Sequence, residues 1–415
     1  MKLSIVSMSS VAYIVEAYQE IIDSLAADGV GVDHTGISLN LWYNTFNKPA
    51  YSAYQKTANL VQHLPRISNK TAPWWYTEDI VEEAKQSLQS INEFIDHIVA
   101  KKKPDVFFIA DDTGILEASI INMLNKKGIP VVFIQHGHNI PINGIDSHLL
   151  SESHITEPKT SYSSSEDLLQ IPGPSGLNGE YLICSYSQLA KTIMSSDGVH
   201  PNRIRNTGFP YFDLLLNKRN DHKDLKIKKK RILLLGSIFY LLNCKERAEK
   251  YYRFIVNICK MLGENYEFHI RLKPGENLSH LSDKDLLKQI DHLQLRYDSN
   301  DLPLYNSIKN YSLVIGLRST VHIESIINDI PTILISIDEQ NSAGRITFES
   351  ILRERLNILT LYDLSELSEM VRFSLTNEYI LKLKINMFNN ESYLFHKLDG
   401  KAGMRIGQVI LNEIV

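Results

Sequence analysis

The residues best suited to chemistry lie in a polar turn in the second half of the chain. An apolar run over residues 312–315 is followed by Gly316-Leu-Arg-Ser-Thr320, and Glu324 comes about one helical turn later. The pattern predicts strand, turn and helix, which places Ser319 and Thr320 at the positive end of a helix, where a phosphate or carboxylate is favoured. From there the Glu324 carboxylate could accept two hydrogen bonds from a ribose diol. These residues predict a nucleotide site; the alternative is a capping serine and a solvated acid.

Acidic and imidazole side chains follow two neighbouring predicted strands in the first half. Residues 105–110 form one apolar run and end at Asp111 and Asp112, and residues 131–134 form the next and end at Gln135-His-Gly-His138. A helical pattern over residues 115–127 joins the two runs, so the segment predicts a βαβ unit with these side chains at the carboxyl ends of parallel strands. Asp112 could instead cap the helix. Two imidazoles around a glycine favour a functional role for His136.

The composition restricts the class of protein. The chain has 415 residues, 43% of them hydrophobic and 22% charged, with a net charge of -4, which predicts a soluble multidomain protein without affinity for nucleic acid. Three widely spaced cysteines without metal-ligand spacing indicate a reducing cytoplasm. The adjacent Asp111 and Asp112 would point in different directions and could not readily share one metal ion, so we predict no metal. We interpret residues 1–10 as a first strand, and no apolar run is long enough to span a membrane.

Alternating strand and helix patterns predict two doubly wound α/β domains. We expect an N-terminal Rossmann-like domain over residues 1–216, a basic linker over 217–231, a C-terminal Rossmann-like domain over 232–395 and a terminal helix over 396–415. The basic linker could alternatively hold anionic lipid or a polyanionic acceptor. Residues 139–179 are rich in Ser, Pro and Gly and predict a long loop.

Several short motifs carry a family resemblance. They are Thr207-Gly-Phe-Pro-Tyr-Phe-Asp213, Lys273-Pro274, Ser319-Thr320 with Glu324, and Asp399-Gly-Lys-Ala402. Over about residues 104–415 the pattern resembles GT-B glycosyltransferases of bacterial surface-polysaccharide synthesis. Within that class it is most similar to the capsule, O-antigen, Kdo and CDP-glycerol transferases. It is more distantly similar to non-hydrolysing UDP-N-acetylglucosamine 2-epimerases. The resemblance implies two Rossmann-like domains facing across a cleft, with the C-terminal helix crossing back to the first domain.

The resemblance also assigns a donor site to the C-terminal domain. Gly236 and Ser237 would form its first turn beside a donor phosphate, and Arg271 and Lys273 would lie at the next strand end. Relatives often have Lys-Pro-His-Pro at that position, whereas this chain has Lys-Pro-Gly-Glu and lacks the histidine. The remaining donor residues implied are Arg318, Ser319, Thr320 and Glu324.

Asp111, Asp112 and His136 are the acceptor-side catalytic candidates that the resemblance implies. In an inverting enzyme a carboxylate or imidazole would remove the acceptor hydroxyl's proton. In a retaining enzyme an aspartate could form a covalent glycosyl intermediate. The sequence leaves both mechanisms open.

The function predicted is therefore metal-independent glycosyl transfer, with a nucleotide-sugar as substrate and no other cofactor. A CMP-linked acid sugar such as Kdo is slightly favoured, because Arg271, Lys273 and Arg318 could pair with its carboxylate; a UDP- or GDP-sugar stays open. The expected acceptor is a growing glycan or lipid-linked oligosaccharide, and the expected location is the cytoplasm, with peripheral association at the inner face of its membrane. The alternatives are a 2-epimerase-like enzyme and a non-catalytic subunit of polysaccharide assembly.

Overall fold

The structure, a computed structural model, describes most of the chain. It covers residues 1–9, 11–39, 49–63, 78–112, 114–136, 175–219, 230–237, 245–273, 276–298, 304–317, 319–336 and 348–415. The chain divides into two compact units: unit 1 comprises Met1–Leu214 with Glu391–Val415, and unit 2 comprises Leu215–Asn390. Each unit contains its own parallel sheet, so the predicted two-domain α/β fold class is confirmed.

Every strand in both sheets is parallel to its neighbours. The strands Val106–Ile109 and Val131–Ile134 are apolar without alternation, because helices cover both faces of such a sheet. In chain order the strands are β1 (Lys2–Ser9), β2 (Gly31–Ser38), β3 (Leu60–His63), β4 (Val106–Ile109), β5 (Val131–Ile134), β6 (Leu182–Ser185), β7 (Ile204–Asn206), β8 (Lys230–Leu235), β9 (Tyr266–Arg271), β10 (Arg296–Tyr297), β11 (Leu313–Gly316), β12 (Thr332–Ile335) and β13 (Leu359–Leu361).

Helices connect these strands and complete the layers. In chain order the α-helices of the described residues are α1 (Ala12–Ala27), α2 (Pro49–Thr57), α3 (Glu78–Lys102), α4 (Ile115–Lys126), α5 (Gln188–Ser196), α6 (Pro210–Arg219), α7 (Lys245–Leu262), α8 (Lys284–His292), α9 (Val321–Ile327), α10 (Phe348–Leu356), α11 (Leu367–Ser374), α12 (Asn377–Asn389), α13 (Glu391–Leu394) and α14 (Ala402–Glu413). No helix in this part of the chain is long and apolar enough to cross a membrane.

The two sheets repeat one strand order. Unit 1 has the order β3-β2-β1-β4-β5-β6-β7, and unit 2 has β10-β9-β8-β11-β12-β13, which is the same winding with one strand fewer. In each sheet the winding reverses next to the first strand, between β1 and β4 and between β8 and β11. Ligands of doubly wound sheets bind outside the carboxyl ends of the strands at this reversal.

The C-terminal helix α14 packs on α1 within unit 1, which confirms the predicted return to the first domain. Its Ala402, Ile406 and Ile410 side chains are fully buried. Gly403 permits the close approach, because a Cβ there would lie 2.7 Å from the carbonyl oxygen of Glu20.

Two motifs quoted for the family resemblance meet in unit 1. Asp213 accepts hydrogen bonds from the backbone N–H groups of Gly400, at 3.1 Å, and Ala402, at 2.6 Å. Arg405 Nε donates to the Thr207 carbonyl oxygen at 2.6 Å. The segments around residues 207–213 and 399–405 thus form one contact that fixes the start of α14.

Turns precede both β10 and β11. Gln294 adopts a positive φ of 48° in the turn that ends α8, and β10 follows with two residues. Two 3-10 turns, Leu304–Asn306 and Ile308–Asn310, come before β11. Within the predicted linker, residues 217–219 end α6 and residues 230–231 begin β8; residues 220–229 lie outside the described part.

Candidate functional site

The candidate donor site lies at the carboxyl edge of the unit 2 sheet. Gly236 and Ser237 follow β8, Lys273 follows β9, and Ser319 lies just after β11. These strands are neighbours at the reversal of the winding, where the fold favours ligand binding. The strands β8, β9 and β11 therefore position the polar residues that follow them.

Lys273 and Ser319 meet at this edge. The Lys273 ammonium Nζ lies 3.2 Å from Ser319 Oγ, although the two residues are far apart in sequence. Ser319 Oγ also accepts the backbone N–H of Val321 at 3.4 Å, so the hydroxyl contributes to the turn that starts α9. A cation and a hydroxyl in this arrangement can contact a phosphate group together.

Glu324 is buried on α9, with 7% of its surface exposed, so it is not the solvated acid of the alternative interpretation. Thr320 Oγ1 lies 3.5 Å from Glu324 Oε1. The predicted Ser319, Thr320 and Glu324 group is thus a compact cluster at the strand edge.

Arg271 points to a different set of partners. Its guanidinium pairs with Asp298 at 2.5 Å, and both side chains are largely buried. Asp298 also accepts hydrogen bonds from Ser307 at 3.0 Å and Tyr311 at 2.9 Å. The structure therefore places Arg271 in an ion pair beside β10. Arg318, the other predicted arginine, lies outside the described residues.

The sequence interpretation missed Glu276. Its carboxylate accepts the backbone N–H of Ser237 at 3.0 Å, the Ser237 hydroxyl at 3.2 Å and the backbone N–H of Lys273 at 2.9 Å. The Tyr252 hydroxyl on α7 donates to the same carboxylate. Burial raises the pKa of Glu276, whereas these hydrogen bonds lower it. The available signal was the Lys-Pro-Gly-Glu sequence itself, which we read only as the loss of a histidine.

The candidate acceptor-side residues lie at the carboxyl edge of the unit 1 sheet, where Asp111 follows β4 and His136 follows β5. His136 Nδ1 lies 2.5 Å from the Ala110 carbonyl oxygen. A carbonyl oxygen only accepts, so this contact assigns the ring proton to Nδ1 and leaves the lone pair of the neutral ring on Nε2. Burial lowers the pKa of His136, and the Asp111 charge and the Ala110 hydrogen bond oppose that shift. A neutral imidazole held this way is suited to accept a proton.

Tyr13, which sequence reasoning did not select, lies beside His136 and packs against Tyr211. The Tyr13 ring centroid, on α1, is 6.1 Å from that of His136 and 4.9 Å from that of Tyr211 on α6. The sequence signal for Tyr13 was its place shortly after β1, and the signal for Tyr211 was the quoted motif Thr207–Asp213.

Asp112 is fully buried, with no exposed surface. Its carboxylate accepts hydrogen bonds from Ser175 Oγ and the Gly176 N–H, both at 2.6 Å, from Tyr181 Oη at 2.5 Å and from Asn178 Nδ2 at 3.3 Å. Burial raises the pKa of Asp112, and the hydrogen bonds lower it. The geometry favours a positioning role for Asp112, which fixes the segment over residues 175–181.

The described residues contain no group of three His, Cys, Asp or Glu side chains that could hold a metal ion.

Comparison with known proteins identifies the fold but no family. No family model and no curated protein sequence matches the chain. Among solved structures, UDP-GlcNAc 2-epimerase from Methanocaldococcus jannaschii, in complex with UDP-GlcNAc and UDP, is similar with a TM-score of 0.60 and 15% identity, covering 99% of each chain. The UDP-GlcNAc 2-epimerase from Neisseria meningitidis, bound to UDP-GlcNAc, is similar with a TM-score of 0.59 and 13% identity, covering 100% of each chain. The UDP-N-acetylglucosamine 2-epimerase from Rickettsia bellii is similar with a TM-score of 0.58 and 11% identity, covering 100% of this chain and 97% of that one.

These likenesses extend over both units at low identity, and they show a GT-B-like fold. The predicted GT-B architecture is thereby confirmed, whereas the Kdo and CDP-glycerol transferase families are not matched.

Proposed function

We propose that this protein is an enzyme that acts on a nucleotide-sugar, and within that class a glycosyltransferase of bacterial surface-glycan synthesis. The observation that carries the proposal is the meeting of Lys273 with Ser319 beside the buried Glu324 at the strand edge of unit 2. These residues come from different strand ends, and a cation, a hydroxyl and a buried carboxylate match the phosphate and ribose of a nucleotide.

Each residue has a defined role in the proposed donor site. The Lys273 ammonium would neutralise a phosphate, and the Ser319 hydroxyl would donate to one of its oxygens. The Glu324 carboxylate would accept hydrogen bonds from the ribose hydroxyls. Arg271 would act through its ion pair with Asp298, and not as a direct phosphate ligand.

Transfer requires a base for the acceptor hydroxyl, and His136 fits that role best. Its Nδ1 proton is held by Ala110, and burial keeps the ring neutral near pH 7. Asp111 would stabilise the imidazolium that forms when Nε2 takes the proton. This arrangement supports an inverting reaction, in which the acceptor oxygen attacks the anomeric carbon as the nucleotide leaves.

The second candidate function is 2-epimerisation of a nucleotide-sugar. The full-length likeness to UDP-GlcNAc 2-epimerases favours it. An epimerase converts its nucleotide-sugar without an acceptor, whereas a transferase needs one. The acceptor that we propose is a glycan or lipid-linked oligosaccharide, met in the cytoplasm at the membrane surface.

The first experiment measures nucleotide binding by isothermal titration calorimetry with CMP, UDP and GDP. We expect one of them to bind, and Glu324→Gln to weaken binding about tenfold, because the amide offers the ribose one acceptor oxygen in place of two. Glu264→Gln, at an exposed position after α7, is the matched control and should bind as the wild type does. Wild-type affinity in Glu324→Gln would place the ribose elsewhere. No binding of any nucleotide by the folded protein would overturn the proposal.

The second experiment separates the two enzymes. The protein is incubated with UDP-GlcNAc alone, and the sugar signals are followed by NMR. A new UDP-sugar formed from the donor alone would establish epimerisation and contradict transfer. An unchanged UDP-GlcNAc together with selective CMP binding supports an acid-sugar transferase.

A further inference from the structure

Glu276 is enclosed by donors from three elements of unit 2. Ser237 after β8 donates its N–H and hydroxyl, Lys273 after β9 donates its N–H, and Tyr252 on α7 donates its hydroxyl. Only 8% of its surface is exposed. A buried carboxylate that accepts this many hydrogen bonds joins the turns that donate them.

We infer that Glu276 is a positioning residue of the nucleotide site. Its carboxylate is the anion that the backbone N–H groups in the turns after β8 and β9 bind, and this contact directs the Lys273 ammonium to the phosphate. The inference rests on the proposed function, since it defines which groups of the same site contact the nucleotide.

The turn after β8 is built around the Glu276 carboxylate. A Cβ on Gly236 would lie 2.1 Å from Glu276 Oε2 and 2.8 Å from the Leu272 Cα, so only glycine allows this approach. The Gly236 N–H donates to the Arg271 carbonyl oxygen at 2.7 Å, which holds the two strand ends together. The requirement for glycine therefore comes from an internal carboxylate and a neighbouring backbone.

The same geometry changes the expected phosphate contacts. Backbone N–H groups at strand ends often bind phosphate, but those of Ser237 and Lys273 already donate to Glu276. A phosphate that took these donors would have to displace a carboxylate of like charge. The Lys273 side chain, in contrast, extends to Ser319. Lys273 Nζ and Ser319 Oγ are thus the phosphate contacts, and Ser237 belongs to the scaffold.

The test compares three full-length variants for melting temperature and for UDP and CMP affinity by calorimetry. Glu276→Gln places an NH₂ group against donor N–H groups, so the turn moves and affinity should fall about tenfold. Tyr252→Phe removes the hydrogen bond from α7 but leaves the turn contacts; it should lower the melting temperature and keep affinity within about twofold. Ser237→Ala should also keep affinity within about twofold, because its hydroxyl does not reach the phosphate.

Four results would overturn the inference. Wild-type affinity in Glu276→Gln would make Glu276 a stabilising residue only. Tighter binding in Glu276→Gln would mean that its carboxylate competes with the phosphate. A tenfold loss in Ser237→Ala would make Ser237 a direct phosphate contact, which decides the matter even if Glu276→Gln does not fold. Failure of the wild type itself to bind UDP and CMP would overturn the proposed function as well, and this separates the two failures.

Discussion

Asp112 in unit 1 and Glu276 in unit 2 are buried carboxylates at the carboxyl edges of the two sheets, and they make a direct comparison. Asp112 in unit 1 and Glu276 in unit 2 both accept four hydrogen bonds, and in both cases one donor is a tyrosine hydroxyl. Burial raises the pKa of both. In each unit, the carboxylate accepts hydrogen bonds from backbone N–H groups of neighbouring turns.

The difference between the two carboxylates lies in the residues that they bind. Glu276 binds the backbone of Lys273, whose ammonium reaches Ser319 in the proposed donor site. Asp112 binds the segment over residues 175–181, while its neighbour Asp111 acts on His136 through charge. Position after a strand therefore indicates the edge at which a site lies. It does not distinguish a residue that contacts a ligand from one that holds the loops around it.

The largest expected effect is on stability, through Asp112→Asn. The amide offers one acceptor oxygen, so buried donors lose their partner, and the free energy of unfolding should fall by about 4 kcal/mol. Urea denaturation followed by circular dichroism measures this. Asp28→Asn, at an exposed position after α1, is the control and should change it by less than about 0.5 kcal/mol. Equal stability of the two variants would contradict the comparison with Glu276, because Asp112 would then not anchor the segment over residues 175–181.

Another buried carboxylate, Asp213, extends the comparison to the pH dependence of stability. Burial raises its pKa from 3.8 to about 6, so the folded protein holds its proton more tightly than the unfolded chain does. The stability that Asp213 contributes is therefore greatest below about pH 4 and falls as the pH rises to about 6, by at most about 3 kcal/mol.

Urea denaturation of the wild type and Asp213→Asn between pH 4 and pH 7 tests this sign. The unfolding free energy of the wild type minus that of the variant should decrease with rising pH and then level off. A difference that increases with pH would show that the hydrogen bonds from Gly400 and Ala402 outweigh burial.

His136→Gln tests the catalytic side of the comparison once a donor and acceptor are known. Loss of the base should lower kcat about 100-fold, or about 2.7 kcal/mol, and leave donor affinity within about twofold. Because the pKa of His136 is lowered, the acid limb of the wild-type rate should lie below the ordinary histidine value of about 6.5. His97→Gln, at an exposed position on α3, is the control. Normal turnover in His136→Gln would move the base elsewhere.

The sequence predicted much of the fold because its signals are local. Apolar runs such as Val106–Ile109 are buried on both faces, and their alternation with helical patterns indicates parallel sheets before any contact is known. The same runs fixed which residues follow the strands, so Asp111, His136, Lys273 and Ser319 were found at strand ends. Element ends such as the start of β10 depend on turn geometry at single residues, here the positive φ of Gln294.

The remaining features depend on contacts between distant residues. Glu276 meets Ser237 across 39 positions of sequence, and Arg271 meets Asp298 across 27. Asp112 meets Tyr181 across 69. Hydrogen bonds form wherever folding brings a donor and an acceptor together, and no local pattern specifies which carboxylate will be enclosed.

By itself the sequence determined the parallel α/β architecture and the polar groups available at each strand edge. The reason is that apolar runs, which indicate buried strands, and helical periodicity are patterns of neighbouring residues. Only the tertiary structure decided their roles: Glu276 and Asp112 as enclosed carboxylates, Arg271 as an ion-pair partner, and Lys273 with Ser319 as the cation and hydroxyl that meet. The physical reason is that desolvation and hydrogen bonding act through space, and they turn chemically similar side chains into scaffold in one place and candidate ligand contacts in another.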